Sequence, residues 1–102
     1  MSEASIRQGA AGELLLAGVL DYRSAPALRE TGRQLIRNNT AAALSISCAQ
    51  VDKSSSVGLS LLLAFMRDAK AANKSLTLRD LPGDMREIAQ VSGLLEILPL
   101  QA

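Results

Sequence analysis

The chain has 102 residues, of which 48% are hydrophobic and 21% charged, and its formal net charge at pH 7 is +1. This length supports a single hydrophobic core, so we expect residues 1–102 to form one domain. The balanced charge and the presence of only two aromatic residues, Tyr22 and Phe65, exclude the basic surface and the stacking platform of nucleic-acid binding proteins.

In chain order, the hydrophobic pattern predicts a hairpin and then a helix. The strands Ser5 to Gln8 and Glu13 to Leu20 are separated by a glycine-containing turn. The helix continues to about Arg37, with Ser24 as its N-cap. Pro26 falls in the first turn, where proline is tolerated because its missing N–H would have no helical partner.

The second half of the chain continues the alternation of strands and helices. Ala41 to Cys48 alternates apolar and polar residues with a period of two, which is typical of a strand. After a serine-rich loop, a helix from about Ser56 to Ala72 carries leucines at helical spacing, and another strand spans Ser75 to Arg79. Asp84 is the predicted cap of a last short helix, which ends near Ser92-Gly93 and precedes an apolar tail.

This order of elements predicts an α/β fold, with a mixed sheet of about four strands and helices packed on it. The helix that follows the serine-rich loop has an apolar surface broader than an ordinary core face. We therefore expect part of that surface to remain exposed and to bind a partner protein, and the alternative is that the whole helix is buried against the sheet.

The side chains that most catalytic and metal sites need are missing. The chain contains no histidine, which excludes imidazole-based metal sites and Ser-His or Cys-His nucleophile pairs. The carboxylates follow no spacing that would pair them, and no glycine-rich loop precedes Lys53-Ser54 as a nucleotide-binding loop requires. We expect no catalytic residue, no metal and no cofactor, and favour a binding protein over an enzyme.

The single cysteine, Cys48, lies in an apolar run, and we interpret it as a buried small hydrophobic side chain. The first five residues contain no basic segment leading into an apolar stretch, as a signal peptide would. The apolar run from Leu59 to Met66 is too short to cross a bilayer. These observations predict a cytoplasmic protein without direct membrane insertion.

The junction between the third strand and the second helix concentrates hydroxyl groups next to a glycine. Its residues are Ser54, Ser55, Ser56, Val57, Gly58 and Leu59. Hydroxyls at a helix start can cap free backbone N–H groups, accept a phosphate or contact a partner protein. The alternative is a plain N-cap and loop, with close packing as the reason for the glycine.

The segment from Ile46 to Leu59 resembles the signature of the STAS domain family. In that signature an apolar strand and a short loop precede Asp-Ser-Ser-Gly-Leu or Asp-Thr-Gly-Gly-Leu at the start of an apolar helix. On this match, Ser56 corresponds to the residue that is phosphorylated in the anti-sigma-factor antagonists of the family, and Gly58 and Leu59 to its Gly-Leu pair. Ser55 stands where most members have aspartate. The resemblance implies the STAS-like fold.

Within this family, the chain is most similar to the small cytoplasmic subunit of a phospholipid ABC transporter of Gram-negative bacteria. The similarity rests on Gly58 to Leu63, on Lys74 to Leu78 and on the tail at Ile97 to Pro99. It implies a non-catalytic subunit that binds the ATPase subunit and, through it, the permease and a third subunit. The transporter would maintain outer-membrane lipid asymmetry. The alternative that the resemblance leaves open is an anti-sigma-factor antagonist controlled by phosphorylation of Ser56.

Overall fold

The computed structural model describes residues 4–101. Most of the N-terminal segment considered above for a signal peptide, and both ends of the predicted domain, lie outside the described residues. The described part contains strands β1 (Ser5–Gln8), β2 (Glu13–Leu20), β3 (Ala43–Ser54) and β4 (Ser75–Arg79). Its helices are α1 (Ala25–Asn38), α2 (Ser56–Ala71) and α3 (Gly83–Val91), followed by a 3-10 helix (Leu95–Ile97). None of these helices has the length and hydrophobicity needed to span a bilayer.

The four strands form one mixed sheet in the order β1-β2-β3-β4. β1 and β2 are antiparallel, as predicted for the hairpin, whereas β2, β3 and β4 run parallel. Parallel neighbours cannot be joined by a tight turn, and the connections through α1 and α2 provide the two crossovers. The prediction of an α/β fold with a mixed four-stranded sheet is therefore confirmed.

The core lies between one face of the sheet and the helices. Every second residue of β2 is buried, which places the side chains of Leu14, Leu16 and Leu20 in the core. α1 packs against α2, and α2 packs against α3. The side chains of Phe65 in α2 and Met85 in α3 are fully buried in this arrangement.

α2 leaves less apolar surface exposed than its broad apolar pattern predicts, and its half-buried large apolar side chains are Val57, Leu63 and Met66. The large apolar side chains of α2 are all buried or half-buried, because the helix is covered by the sheet and by a helix on each side. In the part of the chain that the structure describes, the exposed large apolar side chains are Tyr22, Val91 and Ile97, and all three lie outside α2.

Of the two predicted helix caps, Ser24 occupies the predicted position and Asp84 does not. Ser24 is the N-cap residue of α1, but its hydroxyl donates to the carbonyl oxygen of Val19 (2.9 Å) and does not cap the helix. α3 begins at Gly83 with Pro82 as its N-cap. Asp84 therefore lies within the first turn, where the helix dipole favours its negative charge.

The apolar tail covers part of the outer edge of β4. The N–H of Leu78 donates to the carbonyl oxygen of Pro99 (2.8 Å), and the N–H of Gln101 donates to that of Leu78 (2.9 Å). The side chain of Leu98 is buried in the core. The tail thus satisfies backbone groups that an open edge strand would expose.

Candidate functional site

The serine-rich junction lies at the carboxyl edge of the parallel strands, where ligand sites of open α/β sheets are commonly found. β3 pairs with β2 as far as Leu20 and Ser54, so the strand is longer than the predicted Ala41 to Cys48. The expected serine-rich loop is reduced to Ser55, since Ser54 ends β3 and Ser56 begins α2. The start of α2 is therefore held rigidly against the ends of β2 and β3.

Ser54 connects this junction to α3. Its backbone N–H donates to Oδ2 of Asp84 (3.0 Å), and its hydroxyl donates to the carbonyl oxygen of Ser55 (2.8 Å). Oδ1 of Asp84 also accepts from the N–H of Met85 (2.8 Å). The hydroxyl and N–H of Ser54 are thus occupied by structural hydrogen bonds.

Ser55 is the N-cap of α2. Its hydroxyl oxygen accepts from the N–H of Val57 (3.2 Å) and lies 3.4 Å from the carbonyl oxygen of Leu20. Its own N–H donates to the same carbonyl oxygen of Leu20 (3.0 Å). Serine and aspartate are equally preferred as N-caps, so Ser55 can do the capping that an aspartate would do at this position.

Ser56 has a different environment from the two serines before it. It is exposed in the first turn of α2, and its hydroxyl has no hydrogen-bond partner among residues 4–101. Only its carbonyl oxygen is engaged, by the hydroxyl of Ser60 (3.4 Å). The Ser56 hydroxyl is therefore available to a partner or to a modifying enzyme.

Gly58 and Leu59 serve the packing of the junction. A Cβ atom on Gly58 would lie 1.9 Å from Oγ of Ser54 and 3.1 Å from Cβ of Leu20, so a larger residue would require the Ser54 side chain to rotate and α2 to shift from the sheet. The side chain of Leu59 is 4% exposed and belongs to the core. Both residues can contribute to partner binding only by positioning the helix start.

An apolar groove lies next to Ser56, between the first turns of α1 and α2. It is lined by Tyr22, Ala25, Pro26, Arg29, Val57, Ser60, Leu61 and Ala64. Tyr22 is 70% exposed, and its hydroxyl accepts from Nε of Arg23 (3.2 Å). Tyr22 was not predicted as a site residue, because a single aromatic residue forms no pattern and the groove depends on tertiary packing.

Arg29 connects the two walls of this groove. Its guanidinium forms a two-pronged ion pair with Asp68 of α2, in which Nη2 lies 3.1 Å from Oδ1 and Nη1 contacts Oδ2. Asp68 is mostly shielded from solvent, which makes this pair stronger than a fully exposed one. The ion pair holds α1 and α2 in register beside the groove.

The described residues provide no metal-binding cluster, since no three of their His, Cys, Asp and Glu side chains come together as a site. Cys48 lies in β3, where burial, with a smaller effect of the negative charge of Asp80, raises the pKa of its thiol to about 12. Such a thiol is protonated at neutral pH and is a poor nucleophile or metal ligand.

Comparison with known proteins yields one family match and several similar structures. A family model described as "Mlab, STAS domain" matches residues 4–99. A chain of the Acinetobacter MlaFEDB complex in an ATP-bound conformation is 25% identical, with a TM-score of 0.77 over 87% of this chain and 93% of that chain. Among curated proteins, no sequence matches significantly.

Two anti-sigma-factor antagonists are similar in structure. One, from Mycobacterium paratuberculosis, is 22% identical with a TM-score of 0.74, over 96% of this chain and 83% of its own. The other, SpoIIAA in its unphosphorylated form, is 18% identical with a TM-score of 0.72, over 98% of this chain and 89% of its own. At these identities, the likeness to the two antagonists shows the fold alone.

Proposed function

The chain belongs to the STAS domain family, in its MlaB branch, and we propose that it is a non-catalytic subunit of an ABC transporter of the MlaFEDB kind. The observation that carries the proposal is the 25% identity to a chain of the Acinetobacter MlaFEDB complex, over 87% of this chain and 93% of that one. The predictions of the family and of the STAS-like fold are confirmed by the same matches.

In this role, the chain binds the MlaF-like ATPase subunit and stabilises or regulates it. Through the ATPase it associates with an MlaE-like permease and an MlaD-like subunit, on the cytoplasmic side of the inner membrane. The complex moves phospholipids between the two membranes and so maintains outer-membrane lipid asymmetry. The chain acts as a single domain, residues 1–102, that contributes no catalytic group, cofactor or metal.

The start of α2 and the adjacent groove are the proposed docking surface for the ATPase. Ser56 offers a free hydroxyl, and the groove beside it offers apolar side chains and the exposed ring of Tyr22. Interfaces commonly combine a small apolar pocket with tyrosine and arginine residues around it. We expect the ATPase to place an apolar side chain in the groove and a polar group near Ser56.

A binding measurement with the MlaF-like ATPase of the same genome tests this proposal. Ser56→Glu should weaken the complex by about tenfold or more, because an uncompensated charge would enter a closely packed contact. Ser75→Glu is the matched control, since Ser75 is an exposed serine at the opposite edge of the sheet. Equal affinity of the wild type and Ser56→Glu would rule out this docking surface, and a wild type that does not bind the ATPase would refute the function.

A second function is favoured by the free hydroxyl of Ser56, namely an anti-sigma-factor antagonist switched by phosphorylation. A phosphate on Ser56 would lie at the N-terminal end of α2, where the helix dipole stabilises an anion. Mass spectrometry of the protein from growing cells separates the two functions. Persistent, near-complete phosphorylation of Ser56 favours the switch, and an unmodified Ser56 in complex with the ATPase favours the transporter subunit.

A further inference from the structure

A basic cleft lies between the C-terminal halves of α1 and α2, at the opposite end of α2 from the serine-rich junction. Its volume is about 490 Å³, and its walls are formed by Arg33, Arg37, Asp68, Ala71, Ala72 and Lys74. Three of these side chains are basic and one is acidic. The function proposed above makes no use of this cleft.

Ion pairs neutralise only part of the charge around the basic cleft. Asp68 is paired with Arg29, and Arg33 is paired with Glu30. The walls of the cleft and the partners of these two pairs thus contain four basic and two acidic side chains, a net charge of +2. The net charge of the whole chain is only +1. Positive charge is therefore concentrated at this end of α1 and α2.

Lys74 contributes a fixed charge to the wall of the cleft. Its Nζ donates to the carbonyl oxygen of Ile36 (2.7 Å), lies 3.5 Å from that of Arg37 and also contacts that of Asn39. These carbonyl groups are uncharged, and no carboxylate of residues 4–101 forms an ion pair with Lys74. The ammonium group thus caps the C-terminal end of α1 and keeps its positive charge beside the cleft.

The two arginines of the cleft have N–H groups that the protein leaves unused. Within residues 4–101, the guanidinium of Arg37 forms neither an ion pair nor a hydrogen bond. Nη1 of Arg33 is also without a partner in this range, since Nε and Nη2 make the contacts to Glu30. Arg33 and Arg37 are four positions apart on α1, where like charges are neighbours and repel each other. An anion bound between them would relieve this repulsion.

We propose that the basic cleft binds a phosphate group, carried by a free phosphate compound or by the headgroup of an anionic lipid. A phosphomonoester has a charge of about −1.5 to −2 at pH 7 and three strong acceptor oxygens. This charge matches the net charge of +2 around the cleft, and the oxygens match the unused N–H groups of Arg33 and Arg37. A carboxylate has one charge and two oxygens, so it would leave part of the cleft uncompensated.

The other walls of the cleft are compatible with an anion. Asp68 is the one carboxylate among the residues that line it, and both of its oxygens are held by the guanidinium of Arg29. Ala71 and Ala72 have small side chains, which leave the space in front of the arginines open. In the complex, Arg33 and Arg37 would donate to the phosphate oxygens, and Lys74 would contribute its charge.

Two binding measurements on the purified full chain test the inference. Isothermal titration calorimetry with pyrophosphate tests a free phosphate compound, and co-sedimentation with phosphatidylcholine vesicles, with and without phosphatidic acid, tests a lipid headgroup. Arg37→Gln should weaken binding of the active probe by about tenfold, because it removes one charge and unused donors. Arg86→Gln is the matched control, since Arg86 is an exposed arginine of α3 outside the cleft, and it should change affinity by less than about twofold.

The outcomes distinguish the source of the phosphate from the failure of the inference. Binding of pyrophosphate without binding of vesicles indicates a free phosphate compound. Binding of phosphatidic acid vesicles that pyrophosphate displaces indicates a headgroup. The inference is overturned if the wild type binds neither probe, if pyrophosphate does not displace bound vesicles, or if Arg37→Gln binds no more weakly than Arg86→Gln. Acetate that binds as tightly as pyrophosphate would also overturn it.

Discussion

Gly32 of α1 and Phe65 of α2 pack so closely that a Cβ atom on Gly32 would lie 2.3 Å from Cε1 of the phenylalanine ring. Phe65 is fully buried, so its ring has little room to move away. The contact sets the distance between α1 and α2. It thereby also sets the width of the apolar groove between the first turns of these two helices.

Replacement of Gly32 by alanine should destabilise the protein by about 1–3 kcal/mol, because the new methyl group overpacks the contact with Phe65. The higher helix propensity of alanine offsets only part of this loss. Urea unfolding followed by circular dichroism measures the change. Gly83→Ala is the control, since a Cβ atom there meets nothing within 4 Å, and it should leave stability unchanged or slightly increased. Equal losses in the two variants would contradict the packing argument.

The serines at the start of α2 should differ in their contribution to stability. Ser55→Ala should cost about 1 kcal/mol, because the N–H of Val57 loses its acceptor, whereas Ser55→Asp should preserve the cap. Ser56→Ala should change stability by less than about 0.5 kcal/mol, since its hydroxyl has no partner within residues 4–101. Thermal unfolding of the three variants tests this order, and a larger loss for Ser56→Ala than for Ser55→Ala would be inconsistent with the structure.

Hydrophobic periodicity predicted the order of elements well where the pattern was continuous. β4 was predicted at its observed bounds because Leu76 and Leu78 alternate with polar residues. The helix predicted from Ser56 to Ala72 matches α2, which ends at Ala71. A local pattern is sufficient to predict such elements because the burial of each residue depends on which face of the strand or helix it occupies.

The end of β3 was predicted at Cys48, six residues before its observed end at Ser54. After Cys48, the strand continues through residues that do not alternate, and its pairing with β2 shifts register between Leu15 and Ala17 and again between Gly18 and Val19. Each register shift interrupts the alternation of buried and exposed residues, so no period-two pattern marks this part of the strand. The serines were therefore assigned to a loop, although Ser54 is paired with Leu20 in the sheet.

Only the part of the site that is contiguous in sequence was predicted. The concentration of hydroxyls next to a glycine identified the segment that contains Ser56. The partners of that segment come from distant positions, since Asp84 is 30 residues from Ser54 and Tyr22 belongs to the turn before α1. Asp84 was predicted only as a helix cap and Tyr22 carries no pattern, so their place beside the junction follows only from the packing of the helices.

Lys74 should contribute to stability by capping the C-terminal end of α1. Its Nζ donates to the carbonyl oxygen of Ile36 (2.7 Å) and also contacts that of Asn39. Lys74→Met keeps the aliphatic part of the side chain but removes these charge-assisted bonds, at a cost of about 1.5–3 kcal/mol. Lys70→Met is the control, since Lys70 is an exposed lysine in the last turn of α2. Comparable urea midpoints for the two variants would refute the capping role.

The thiol of Cys48 should make stability fall at high pH. Burial is the main reason that its pKa rises from an ordinary value of 9.0 to about 12 in the folded protein. The unfolded chain therefore loses this proton at lower pH than the folded chain, so the free energy of unfolding should decrease as pH rises from about 9 towards 12. Urea titrations at each pH measure this decrease in the free energy of unfolding. The decrease should be smaller in Cys48→Ala.

Alkylation provides an independent measurement on the same thiol. At pH 8, iodoacetamide should modify Cys48 of the native protein far more slowly than that of the urea-unfolded protein, because the side chain is buried and remains protonated. The rate in native buffer should rise in Gly32→Ala, since a less stable fold opens more often and exposes the thiol during each opening. A native rate close to the unfolded rate would show that Cys48 is accessible, and would contradict the burial that raises its pKa.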